Sequence, residues 1–306
     1  MKGFYPEGWQ DPAAEGKKTS YSISALKEAA ATTEILEGTA YMCDSDHNLM
    51  VNLGCMVGVI PRVEGAIGIE EGITRDIALI SRVGKTVCFT VEEISVDSDQ
   101  KPYALLSRRN AQKRCREEML SNITAGDILP AKITHIESFG AFCDIGCGNI
   151  ALLPIDSISV SRITHPTDRF STGDDIKVIV KSIDEAGRIT LSHKELLGTW
   201  KENADNFSAG QTVSGIVRSI ESYGIFVELA PNLAGLAEPK EGIRVGQGVS
   251  VYIKSIIPDK MKVKLIIIDS FENESTPAYK YFYESDRIDE FIYSPNESGK
   301  RIETIF

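Results

Sequence analysis

SFGAFCDIG (Ser138–Gly146) sets two phenylalanines around a Gly-Ala pair, and the chain then writes nearly the same thing again as SYGIFVELA (Ser222–Ala230). Tyr223 follows Phe139 by 84 residues, and Phe226 follows Phe142 by the same interval. That spacing is too long for a helical solenoid unit and suits a small domain. Around the first copy, DILPAKITHI alternates apolar and polar residues, as a half-buried strand does. A turn at Glu137-Ser138 leads to a second strand, FGAFCDI. GCGN breaks that strand, and IALLPI makes a third. The stretch DSISVSRITHPTDRFSTGDD is rich in turn formers. IKVIVKSID and RITLS then flank EAG, a hairpin with a Gly-bearing turn.

Five strands in about 70 residues, with one long connection after the third, predict a small closed antiparallel barrel of the oligonucleotide-binding type. QTVSGIVRSI, YGIFVELA, LAGLAE, VSVYIKSII and KVKLIII repeat the order, with the long connection cut to PKEGIRVGQG. An eroded copy precedes both. HNLMVNLG aligns with FGAFCDIG so that His47 falls on Phe139 and Met50 on Phe142, and GVIP falls on ALLP. The fold class expected is all-β with helical linkers: three tandem five-stranded barrels, the first divergent. The expected divisions are an N-terminal extension with a helix (1–36), the divergent barrel with a helical connector (37–120), a barrel over 124–197, a helical linker (198–209), a barrel over 210–269, and an acidic, aromatic tail (270–306). The helices are read at SISALKEAAATTEILEG, ending at Gly38, at Ser107–Leu120, and at Ser192–Phe207, where Leu196, Leu197, Trp200 and Phe207 form a stripe.

In the 306 residues, 42% are hydrophobic and 25% charged, with mean hydropathy −0.10, which fits a globular chain. No apolar run approaches the roughly 20 residues that span a bilayer. The start lacks the apolar core of a secretory signal, so a cytoplasmic protein without a membrane partner is expected. Six cysteines are scattered without a CxxC. Cys143 and Cys147 lie four apart, but four histidines and no second close Cys pair argue against structural zinc, and no cofactor or metal is expected. The net charge of −11 argues against a generic polyanion binder. Charge is uneven: 271–306 carry a net −4 and 210–270 a net +1. GxxxxGK[ST], HExxH and GxSxG are absent, so no enzyme is expected.

The ring pairs admit two readings. Aromatics in strands commonly fill cores, but Ile133, Ile145, Leu152, Val178, Val180 and Leu191 already supply one here. The second reading is an exposed platform on which nucleic-acid bases stack, each worth about 1–3 kcal/mol. Positions 139 and 142 would face opposite sides of a regular strand. A glycine-marked bulge at Gly140, and again at Gly224, is the expected device that returns both rings to one face.

FGAFCDIG…ALLP…GDDIKVIVKSIDEAGRITLSHK resembles the S1 RNA-binding domain, closely over 124–197, well over 210–269 and divergently over 37–120. Three such units, the LSRR and TW connectors and the YSP…IET.F ending are similar to the short, multi-domain ribosomal protein S1 homologues of Gram-positive bacteria. The resemblance implies a nucleic-acid face with two aromatics on the second strand, a His on the third, and an Asp and an Arg near the last hairpin. Carried over, Phe139, Phe142, Asp184 and Arg188 match, and Pro154 stands at the His position. In the third copy Tyr223, Phe226 and, conservatively, Lys262 match, while Pro258 and Glu238 replace the Asp and His. The first copy offers His47 but Met50 and Pro61, and is expected to bind poorly.

Asp184 is read as holding Arg188 or capping its turn, and His165 as a loop residue. The run Arg108, Arg109, Lys113, Arg114, Arg116, offset by Glu117 and Glu118, is read first as a solvated helix face and second as a phosphate-tracking strip. The resemblance implies a monomeric single-stranded RNA-binding protein of translation with mRNA and the 30S ribosomal subunit as partners. The alternative is a protein-interaction adaptor on the ribosome or an RNA-processing complex, which the acidic surface and the degraded first barrel favour.

Overall fold

The computed structural model describes residues 4–9, 20–97, 99–272 and 280–306. The rest of the N-terminal extension (1–3 and 10–19) and residues 273–279 of the tail lie outside the described residues. Among the described residues there are seventeen strands, and fifteen of them close three barrels. The first uses β1 (Leu36–Cys43), β2 (Leu49–Asn52), β3 (Val57–Ile60), β4 (Thr86–Val96) and β5 (Pro102–Ser107). The second uses β6 (Ile128–Glu137), β7 (Gly140–Asp144), β8 (Ile150–Pro154), β9 (Asp175–Ile183) and β10 (Ile189–Ser192). The third uses β11 (Thr212–Glu221), β12 (Gly224–Ala230), β13 (Leu233–Ala237), β14 (Gly248–Ile257) and β15 (Lys262–Phe271).

The barrels are not wholly antiparallel. In each, the third strand runs parallel to the fifth: β3 with β5, β8 with β10, β13 with β15. A ring with an odd number of strands cannot alternate direction all the way round, so one parallel seam is unavoidable. The tail adds a separate two-stranded sheet, β16 (Glu290–Ile292) with β17 (Glu303–Ile305).

Helices connect these elements. In α1 (Ile23–Thr32) the Ser22 hydroxyl accepts from Ala25 N, and the left-handed Thr33 ends the helix at φ 53°. It therefore stops before Gly38, which lies in β1; a Cβ there would come within 2.7 Å of Val51 Cγ1. A short α2 spans Ile77–Ile80. In α3 (Arg108–Glu118) the Ser107 hydroxyl accepts from Asn110 N. The single helix expected over Ser192–Phe207 is two pieces. A 3₁₀ turn covers Lys194–Leu197, Gly198 turns the chain at φ 82°, and α4 (Trp200–Ala204) restarts behind the reciprocal Thr199–Glu202 cap.

The chain divides into two compact units. The first holds Met1–Ile123 with Pro130–Lys132 and Asp144–Ile150. Its core joins Leu26 and Ala29 of α1 to Leu49, Val51, Phe89 and Leu106 of the first barrel. The basic run on α3 is not simply a solvated face. Arg108 is buried, with Nε and Nη2 donating to the Glu7 carboxylate at 2.6 and 2.9 Å and Nη1 donating to Gly65 O. Arg109 pairs with Glu70, Arg114 with Glu118, and Arg116 bonds Asn149 Oδ1. Among the described residues, only Lys113 of the run is exposed without a hydrogen-bond or ion-pair partner.

The second unit holds the remaining residues, including both ring-bearing strands. The connection after β8 lies across the third barrel. Val160 N donates to Asn232 Oδ1 and Ser161 N to Pro231 O. Arg169 Nη2 donates to Glu228 Oε2 at 2.5 Å, and Arg218 Nε donates to the same oxygen at 2.8 Å. Ile133, Ile145, Val178, Val180 and Leu191 are buried as expected. Leu152 is only half-buried; its neighbours Ala151 and Leu153 point inward instead, as alternation along β8 requires.

Candidate nucleic-acid interface

Both ring pairs face outward. Phe139 is 54% exposed and Tyr223 65%, while Phe142 and Phe226 are half-buried beside them. The pairs have the same geometry: centroids 6.1 Å apart for Phe139–Phe142 and 6.2 Å for Tyr223–Phe226, each with planes at 90°. Each pair thus leaves open ring surface at right angles, to which a base can add by stacking.

In the third barrel the device that puts both rings on one face is not a glycine bulge. Gly224 pairs regularly with Glu221, and the register shift in this part of the barrel lies on β11, between Val217 and Ser219. Phe139 and Tyr223 precede their strands and sit in the turn, so strand alternation does not constrain them. The glycines serve close approach. A Cβ on Gly140 would stand 2.5 Å from Leu153 O, and one on Gly224 would stand 2.7 Å from Ala237 O.

Cross-strand register shows what stands level with each inner ring. In the third barrel Ser219 pairs with Phe226, Phe226 with Leu236, Leu236 with Lys264, and Lys264 with Ser255. No member of this belt is buried, so it runs round the outside. Lys262 faces the same way but stands opposite Ile257; Lys264, two residues on, is the cation level with Phe226. In the second barrel the bond from Ile155 N to Phe139 O sets Phe142 across from Leu152, and Leu152 pairs with Thr190, which pairs with Ser182. On the other side of Phe142 lies His135, with ring centroids 6.1 Å apart and planes 23° from parallel. In the first barrel the belt reads Met42, Met50, Val59, Leu105 and Glu93, with no ring and no cation.

The remaining sequence-derived residues lie at the margins. Arg188 is highly exposed and donates through Nε to Asp184 Oδ2 at 2.7 Å. Asp184 Oδ1 also accepts from Ala186 N and Arg188 N, which fastens the β9–β10 turn. Those backbone bonds, with the guanidinium beside them, hold its carboxyl below the usual range. Pro154 ends β8, Glu238 is exposed just past β13, and Pro258 opens the 3₁₀ turn before β15. His165 caps a 3₁₀ turn, its Nδ1 accepting from Thr167 N, so the loop reading suffices for it. Among the described residues no group of three or more His, Cys, Asp or Glu is placed to hold a metal ion, and no disulfide joins the cysteines. No helix among them is long and apolar enough to cross a membrane.

Residues 122–194 match the family model described as the S1 RNA binding domain. The small ribosomal subunit protein bS1 of Staphylococcus aureus strain COL is 30% identical over 274 residues, covering 84% of this chain and 67% of that protein. The chain belongs to the S1 RNA-binding domain family. The small ribosomal subunit protein bS1 homolog of Bacillus subtilis strain 168 is 31% identical over 211 residues, 63% of this chain and 53% of that one. Among solved structures, a multidomain protein with nucleic acid binding domains from Streptococcus pneumoniae TIGR4 covers 77% of the chain at 15% identity, with a TM-score of 0.26.

The family match falls on the second S1 barrel, the copy with the complete ring, Asp184 and Arg188 set. His135 and Lys264 are the belt members that sequence reasoning missed. Both were visible as outward-facing positions of alternating strands. What alternation does not reveal is which outward residue is level with which ring.

Proposed function

We propose that this chain is a non-enzymatic, cytoplasmic, single-stranded RNA-binding protein of translation that acts as a monomer and works with the small ribosomal subunit on mRNA. Bases stack on Phe139 and Phe142 of the second barrel and on Tyr223 and Phe226 of the third. Arg188 and Lys262 stand at the hairpin end of each face to meet phosphate, and Asp184 positions Arg188. The observation that carries the reading is the duplicated, solvent-open pair of perpendicular rings. The names of the bS1 relatives support the biological setting.

Two weak sites on one chain reach useful affinity through effective concentration. With a net charge of −11, binding should rest on stacking more than on counterion release, giving a shallow salt slope. The test is titration of labelled oligouridylate and oligoadenylate at two salt concentrations. Phe142→Ala and Phe226→Ala should each weaken binding by about 5- to 150-fold, the equivalent of one lost stack. Unchanged affinity in the double variant, or a salt slope as steep as that of a strongly basic protein, would overturn the proposal.

A second reading applies to the first barrel. Its ringless belt of Met42, Met50, Val59 and Leu105, ending in Glu93, suits a protein partner better than RNA. A complex that survives nuclease treatment and the ring substitutions but is lost in Met50→Asp would support an adaptor role for that barrel.

A further inference from the structure

We infer that the two RNA faces are chemically unequal: His135 adds a third stacking ring to the second barrel, and Lys264 adds a phosphate contact to the third. The inference rests on the RNA-binding reading above and deepens it. Counterpart positions exchange residue types. Where the second barrel places His135 beside Phe142, the third places Ser219 beside Phe226. Where the third places Lys264 level with Leu236, the second places Thr190 level with Leu152. Each face therefore carries one extra functional group, on opposite sides of its inner ring.

The surroundings decide what each group can do. The His135 side chain is 63% exposed and stacks near-parallel to Phe142 with ring centroids 6.1 Å apart, so it adds a further flat ring beside the pair. Its Nε2 stands 2.7 Å from Glu137 Oε1. That carboxylate fixes the ring in its plane and offsets any charge it carries. It would also repel a phosphate at the same spot. What remains is a flat ring available to a base, an attraction that salt does not screen. Lys264 is the converse. It is exposed, and no carboxylate pairs with it among the described residues. A flexible ammonium with nothing to neutralise it meets a phosphate and releases a counterion.

The test uses the full chain and a labelled oligouridylate of about thirty nucleotides, long enough to engage both barrels at once. Affinity is measured at four salt concentrations for His135→Ala, His135→Phe, Lys264→Gln and Lys264→Arg. His135→Ala should bind about fivefold more weakly at every salt concentration, with an unchanged slope, and His135→Phe should keep wild-type affinity. Lys264→Gln should lower the slope of log affinity against log salt by about 0.7, and Lys264→Arg should keep it.

Thermal melts show whether these exposed substitutions leave the fold intact. If His135→Ala changes the slope, or His135→Phe fares as badly as His135→Ala, the third ring is refuted. An unchanged slope in Lys264→Gln refutes the phosphate contact. Phe142→Ala and Phe226→Ala run alongside. If they too bind like wild type, the RNA-binding reading itself fails; if they lose binding while the four variants do not, only this inference fails.

Discussion

Replacing Glu228 by alanine takes the anion out of a buried cluster and leaves its cations behind. Glu228 accepts from Arg169 Nη2 at 2.5 Å and from Arg218 Nε and Nη2 at 2.8 and 3.3 Å. The Arg169 and Glu228 side chains are 0% and 2% exposed, so solvent cannot take over. Arg169 Nε already lacks a hydrogen-bond partner, and burial lowers the guanidinium's affinity for its proton. After the substitution, among the described residues, Arg169 has no salt-bridge partner and Arg218 keeps only Asp168 at 3.6 Å. Removing one partner of such a buried pair costs about 3–5 kcal/mol. That is a large share of a domain's typical margin of about 5–15 kcal/mol.

Urea unfolding, followed by tryptophan fluorescence from Trp200 in the same unit, reads the loss. Arg244→Ala, which breaks the exposed Arg244–Glu272 pair, is the control and should stay within about 0.5 kcal/mol. A triple change of Arg169, Arg218 and Glu228 to apolar residues of similar size should recover most of the loss, because no unpaired charge remains. A Glu228→Ala cost under about 1 kcal/mol, or a triple variant no better than the single, would refute the reasoning.

His193 is buried with a ring nitrogen 3.0 Å from Ile158 O, and burial, with the Arg169 charge, pushes its pKa down to about 4. The unfolded chain therefore takes the proton first: stability is complete above about pH 6.5 and falls by about 3 kcal/mol as the pH drops to 4. His193→Asn should flatten that part of the pH–melting curve, and an unchanged slope would contradict it. Gly140→Ala should cost about 1–3 kcal/mol and weaken RNA binding with it, since the new methyl meets Leu153 O and β7 must move off β8; wild-type values in both denaturation and titration would count against it. Thr199→Ala removes the acceptor for Glu202 N at the start of α4 and should cost about 1 kcal/mol in the same unfolding assay.

Alternation, turn formers and the repeated ring motif were enough to read three five-stranded barrels, because each strand has one wet and one dry face. They were not enough to read how the strands stand beside one another. The parallel seam between β13 and β15 makes Lys264, rather than Lys262, level with Phe226, and nothing in KVKLIII ranks one lysine above the other. The shift that sets Ser219 level with Phe226 lies on β11 between Val217 and Ser219, away from Gly224. Gly140 and Gly224 were legible as special, but their reason lies across the barrel, in the carbonyls of Leu153 and Ala237. Arg169, Arg218 and Glu228 were illegible for the same cause: charged residues in a loop and on strands read as solvated until the fold lays one over the other. Local pattern determines which way a side chain points, and register decides what it meets. The ring pairs could be seen in the sequence because they are local. The groups that make one face differ from the other are partners in register, so the chemical inequality of the two barrels is a property of the fold.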